Sequence, residues 1–214
     1  ALPTKAIEGY AAQEQLVGGV ETLFKTSSDT VVGYANDAYK TAGMSANEYM
    51  ETVTSFSASL LASMNNDTAA AAEKANVAIT DMSDNANKMG TDISLIQNAY
   101  NGFAKQNYTM LDNLKLGYGG TKEEMQRLLD DASKLSGIKY DISSYSDVVD
   151  AIHVVQTEMG ITGTTAKEAS TTIEGSVSSM SSAWDNWVAG MADSEANFSQ
   201  LTSNLVDSIV TVGI

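Results

Sequence analysis

From residue 72 onward the apolar positions fall at Ala72, Ala75, Ile79, Met82, Ala86, Met89, Ile93, Ile96, Tyr100 and Phe103. The steps alternate three and four without a slip and pass straight through Gly90-Thr91-Asp92. A second run reads Ile173, Val177, Met180, Trp184, Trp187 and Met191, then Phe198, Leu201, Leu205 and Val212, with Ser194 and Ser208 in the two vacant slots. A repeat near 3.5 residues marks helices that pack along one seam. One seam is therefore predicted from Ile79, Met82, Met89, Ile93, Ile96, Tyr100 and Phe103, and a second from Ile173, Val177, Met180, Trp184, Trp187 and Met191. Ordinary bundle helices carry shorter runs of this kind. Continuity of phase across Gly90 and Asp193 favours elongated or coiled-coil-like packing instead.

Capping signals divide the rest of the chain. Ser45-Ala-Asn-Glu48 is a capping box preceded by Gly43, and Thr121-Lys-Glu-Glu124, Ser144-Tyr-Ser-Asp147 and Thr165-Ala-Lys-Glu168 repeat the device. Predicted helices span 5–26, 30–41, 46–64, 68–104 with a break allowed at Gly90, 107–116, 122–136, 145–159, 166–190 and 195–212. The fold class is all-α, with helices joined by Gly-containing turns. The chain is expected to form one helical region, with sub-segments near 1–64, 65–140 and 141–214.

Composition sharpens this picture. The one proline is Pro3, so no central helix breaker exists. Ten Met and only 7% aromatic residues predict a thin, adaptable core. Sixteen Gly, several inside helical pattern, weaken each helix alone, so the chain could exchange between a folded-back bundle and an extended form. As a single helix it would reach on the order of 320 Å at ~1.5 Å per residue. Net charge is −15, and no basic residue follows Lys167. Such a surface repels nucleic acid, whose binding draws on Lys and Arg, so no direct sequence-specific nucleic-acid contact is expected. Zero Cys excludes disulfides and thiolate metal sites. The stretch 205–214 is far shorter than the ~20 apolar residues of a membrane span. An opening at Ala1 without Met reads as a piece of a longer chain.

No catalytic constellation emerges, and neither cofactor nor metal is expected. His153 is the single His; on 145–159 the stripe Val148, Ile152, Val155 and Met159 leaves it at the solvent edge without a partner. Gly117-Tyr-Gly-Gly-Thr-Lys122 lacks the Gly-Lys-Ser/Thr ending of a phosphate loop and follows no strand, so it reads as a helix–helix turn. Glu48, Glu123 and Glu124 could form a glycosidase pair only at defined separation in a cleft, and helix starts already employ all three. Trp184 and Trp187 could serve as a sugar platform or interface anchor, but their seam positions predict core burial.

Three stretches resemble tail tape measure proteins of long-tailed, siphovirus-like bacteriophages. One is Ala42-Gly-Met-Ser-Ala-Asn-Glu-Tyr-Met50, continuing through Thr54-Ser-Phe-Ser-Ala-Ser-Leu60. The most specific is Ile96-Gln-Asn-Ala-Tyr-Asn-Gly-Phe-Ala-Lys-Gln-Asn-Tyr-Thr-Met-Leu-Asp-Asn-Leu114, followed by Gly117-Tyr-Gly-Gly-Thr-Lys-Glu-Glu-Met125 and the helix to Leu135. The third is Thr164-Thr-Ala-Lys-Glu-Ala-Ser-Thr-Thr-Ile-Glu-Gly-Ser-Val177, running to Trp184. Together they cover most of 42–191. The resemblance implies an internal fragment of a virion protein that lies in the tail tube lumen, and in the host cytoplasm during assembly. It would set tail length and leave ahead of the DNA to help penetrate the host envelope. Implied partners are the tail tube protein, tail assembly chaperones, further copies of the chain and, through the parent protein, the host membrane. Family members commonly carry strongly apolar stretches, and some a peptidoglycan hydrolase domain; neither is found in these residues. From other classes, a secreted helical hairpin with a Trp-x-Gly turn is the alternative, and a helical peptidoglycan hydrolase ranks last. Trp187-Val-Ala-Gly190 departs from the hairpin motif by one extra residue.

Overall fold

The computed structural model describes residues 2–171, 173–193 and 196–212, with the backbone alone at Leu2, Pro3, Ile173 and Glu174. The described residues are all-α, with no strand among them. Two compact units form: residues 1–54 with 165–214, and residues 55–164. These boundaries differ from the three consecutive sub-segments anticipated above, because the first unit is assembled from both ends of the chain.

The first unit contains α1 (Leu2–Phe24), a 3-10 turn (Lys25–Ser27), α2 (Ser28–Thr41), the first half of α3 (Ala46–Ser63), most of α8 (Thr164–Thr171), α9 (Ile173–Gly190) and α10 (Phe198–Val212). The capping box that opens α3 is complete. Ser45 Oγ accepts the Glu48 N–H at 3.2 Å, and Glu48 Oε2 accepts the Ser45 N–H at 2.7 Å. Helix α9 packs on α1, α2 and α10. Tyr39, Ala183 and Leu205 form a small buried cluster there, flanked by Trp187 and Ile209. A Cβ on Gly9 would lie 3.2 Å from that of Ala189, so small residues set the close approach of α1 to α9.

The second unit holds the end of α3, then α4 (Thr68–Met89), α5 (Ile93–Ala104), a 3-10 turn (Leu111–Leu114), α6 (Lys122–Ser136) and α7 (Tyr145–Glu158). The Asp67 side chain caps α4 through the Ala70 N–H, and Asp92 caps α5 through the Ser94 N–H. Thr121 and Ser144 cap α6 and α7, as the spacing predicts. The break allowed at Gly90 is real: its φ of 68° is left-handed, which ends α4 and turns the chain into α5. The helix predicted over 107–116 shrinks to the single 3-10 turn. At Thr165 the capping signal is not used as expected, since α8 already begins at Thr164.

The second unit's core is richer in rings than composition suggests. Tyr100 and Phe103 stand 5.7 Å apart, Phe103 and Tyr108 6.2 Å, and Phe56 meets Tyr145 edge-on at 6.4 Å. The loop from 105 to 121 supplies Tyr108 to this cluster and packs closely on itself. A Cβ on Gly120 would sit 2.3 Å from the Thr109 carbonyl oxygen, so no other residue fits without displacing backbone.

Candidate functional site

The two predicted seams meet different fates. In the second unit Ile79, Met82, Ile96, Tyr100 and Phe103 are buried, and Met89 and Ile93 are half-buried at the Gly90 turn. In the first unit Val177, Trp184 and Met191 are 43%, 44% and 45% exposed, while Met180 and Trp187 are half-buried. The Ile173 side chain lies outside the described residues, as does Ser194. The reading of Trp184 as a core residue is thereby corrected. Helix α9 turns its Ser176, Ser179, Ser182, Ala183, Asn186 and Ala189 side inward instead. Two hydrogen bonds fix this orientation: Asn186 Oδ1 accepts the Ala46 N–H at 2.8 Å, and Ser182 Oγ donates to the Gly43 carbonyl at 3.2 Å. At the outer edge stands an aromatic row, with exposed Trp184 stacked on half-buried Trp187 at 5.4 Å and exposed Phe198 5.5 Å beyond Trp187. Trp187 Nε1 donates to Thr202 Oγ1 at 3.2 Å, which ties the row to α10.

The second feature is polar and was not anticipated. Along α4, residues 81–86 are all buried, and four of them are Asp81, Ser83, Asp84 and Asn85. Their partners come mainly from α7 and the turn after it. His153 Nδ1 lies 3.0 Å from both carboxylate oxygens of Asp81. Asn85 Nδ2 donates to Gln156 Oε1 at 2.8 Å and to the Leu114 carbonyl at 2.9 Å. Gln156 Nε2 returns to the Asp81 carbonyl at 3.1 Å, and Asp84 Oδ2 accepts the Gly163 N–H at 2.8 Å. At the outer end Lys74 pairs with Asp150 and donates to Ser146 Oγ. The α4–α7 contact is thus a ladder of polar groups, most of them paired as burial demands, while Ser83 Oγ and Asn85 Oδ1 are buried with no hydrogen-bond partner among the described residues. His153 accordingly has the partner that sequence reasoning denied it, although its half-exposed position agrees with the predicted edge.

Electrostatics follow from this geometry. Burial pushes the Asp81 carboxyl up to about 6, against the opposing pull of the His153 hydrogen bond and charge. The same hydrogen bond holds the His153 imidazole above its ordinary value, with Asp150 and Asp84 adding to it. Burial and the nearby Asp81 charge raise the Tyr100 phenol well above its usual range. Its hydroxyl finds no hydrogen-bond partner among the described residues.

A carboxylate bonded to Nδ1 is also how many enzymes orient an imidazole base, with Nε2 left free; here that carboxylate belongs to the neighbouring helix α4. What the pair can do is bind α4 to α7 and respond to protons. Glu48, Glu123 and Glu124 all sit at helix starts, and Glu124 also pairs with Arg127. Among the described residues no group of three His, Asp or Glu could hold a metal ion, and no helix is long and apolar enough to cross a membrane. No family model, curated protein or solved structure matches the chain.

Proposed function

We propose that this chain is a structural, non-catalytic segment of a tail tape measure protein of a long-tailed bacteriophage. In this reading it lies in the tail tube, contributes to tail length during assembly and leaves ahead of the DNA. The observation that carries the reading is the stretch 96–125, the most specific of the resembling segments. Its residues are demanded by a particular local structure: Tyr100 and Phe103 fill the core, Leu111 and Leu114 are buried in the 3-10 turn that follows, and Gly120 fits only without a side chain. Weak helices punctuated by glycine suit a chain that is compact when free and drawn out in a narrow tube, where coiled-coil packing along the seams becomes available. The tube protein, assembly chaperones and further copies of the chain are the partners this reading requires.

The test is an in-frame deletion of residues 55–164 in the phage, followed by electron microscopy of the tails. Tails shortened by up to about 165 Å, at ~1.5 Å per residue of extended helix, support the reading. Assembled tails of unchanged length sink the ruler role of this unit.

A second reading, a secreted helical hairpin, draws on the place of Trp187-Val-Ala-Gly190 at the end of α9, directly before the connection to α10. Export of the chain by a secretion ATPase, in cells lacking any phage, is the result that would favour it.

A further inference from the structure

We propose that the outer face of α9, formed by Val177 and Trp184, with Met191 just past its end and Trp187 and Phe198 beside it, docks a basic amphipathic helix of another protein. Three observations converge on that occupant.

The first is spacing. Val177 and Trp184 are seven residues apart, so they stand on one line along α9 about 10.5 Å from one another, and Met191, seven residues further on, follows directly past the helix end. That line is what a second helix covers by inserting side chains between successive knobs. In residues 72–103 the same repeat is covered by the chain itself, with Ile79, Met82 and Ile96 fully buried, whereas the α9 line stays about half open.

The second is chemistry. Stacked Trp184 and Trp187, extended by Phe198, form the large-ring centre typical of positions that dominate binding energy. Isolated apolar side chains on a surface need no explanation, but an ordered row of three rings flanked by Val177 and Met191 is a patch.

The third is charge. Every formal charge from Glu168 to the end of the sequence is negative. Asp185, the neighbour of Trp184, is held above the ordinary carboxylate range by burial and by Glu48, with Lys5 opposing. Residues 168–214 carry no Lys or Arg of their own, and a partner with Lys or Arg beside its apolar stripe supplies them. A second copy of this chain, at −15, brings more negative charge and fits poorly.

The test uses the full chain and a synthetic helical peptide of about five turns, with Leu at a and d positions and Lys elsewhere. A labelled peptide is titrated by fluorescence anisotropy. Saturable binding is expected, weakened at least about tenfold by the triple change Val177→Ser, Trp184→Ser and Met191→Ser, with helicity by circular dichroism unchanged. A sister peptide with Glu in place of Lys is expected not to bind. Equal affinity for the triple variant means adsorption by net charge and overturns the proposal; equal binding of the Glu peptide overturns it too. Light scattering that shows self-association abolished by the triple change assigns the face to a second copy instead. Sedimentation with anionic phospholipid vesicles, lost in the triple variant, assigns it to lipid. Either result overturns the proposal.

Discussion

His153 reaches Asp81 across 72 positions of sequence and places one ring nitrogen 3.0 Å from each of its carboxylate oxygens. Asp81 is 1% exposed, while the imidazole keeps an edge in water. The pair therefore joins a buried acid to a group that still senses the solvent.

Its pH dependence has a definite sign. Asp81 titrates at about 6 in the folded chain against an ordinary 3.8, and His153 lies above its ordinary 6.5. Both hold a proton more tightly when folded, so their contribution is complete at low pH and fades as pH rises through about 6 and then through the raised His153 value. Asp92, Glu124, Asp131 and Asp141 act oppositely, since hydrogen bonds lower their values and their contribution fades in acid. Urea midpoints followed on α7 amide signals are expected to be higher at pH 5.5 than at pH 8. Replacing Asp81 with Asn should remove most of that difference; a midpoint that rises toward pH 8 in the natural chain contradicts the assignment.

Removing the imidazole separates the partners. His153→Ala leaves the buried Asp81 carboxylate without its hydrogen-bond partner at pH 8, at a cost of about 1–3 kcal/mol, discounted because the ring is partly exposed. At pH 5 Asp81 takes up a proton and the penalty should shrink. Equal destabilisation at both pH values would mean that lost packing, not charge, explains the effect.

The two seams should differ sharply under mutation. Ile96→Ala empties a fully buried site and should cost about 2–4 kcal/mol. Trp184→Glu places a charge on a ring position already 44% exposed, and should leave helicity intact with a loss below about 1 kcal/mol. Circular dichroism and urea unfolding of both variants decide it. Lost helicity, or a destabilisation of several kcal/mol, in the Trp184 variant would show the outer face to be core.

That contrast marks how far periodicity reads the fold. A heptad repeat tells which residues share a line on a helix, and from Ile79 to Phe103 that line is the buried one except at Met89 and Ile93 beside the Gly90 turn. It does not tell which line of a helix is covered. On α9 the inward side was decided by the approach of Gly9 to Ala189 and by Asn186 meeting the Ala46 amide, contacts 180 and 140 positions apart. Capping boxes were legible because Ser45 and Glu48, or Thr121 and Glu124, act within one turn. The Asp81–His153 pair was not, because nothing local joins its halves. A usable signal did exist: Asp81, Ser83, Asp84 and Asn85 crowd the same turn as Ile79 and Met82, and buried polar groups require partners.

Glycines give an internal control. Gly120→Ala would bring its Cβ within 2.3 Å of the Thr109 carbonyl and should destabilise the second unit by more than about 2 kcal/mol. Gly33 lies within α2 with nothing inside 4 Å of a built Cβ, so Gly33→Ala should stabilise by about 0.5–1 kcal/mol. Thermal midpoints of the two variants should move in opposite directions; movement in the same direction contradicts this account of the 105–121 loop.

Residues 55–164 begin and end inside a chain whose two outer portions fold together. When such a chain is pulled from its ends, tension passes first through the unit that owns both ends. The inserted unit bears no load until that outer unit has yielded. Drawing the molecule out into a line is therefore a sequential process whose order is written in connectivity: the unit of 1–54 and 165–214 opens as a clasp, and only then do α4 through α7 bear load.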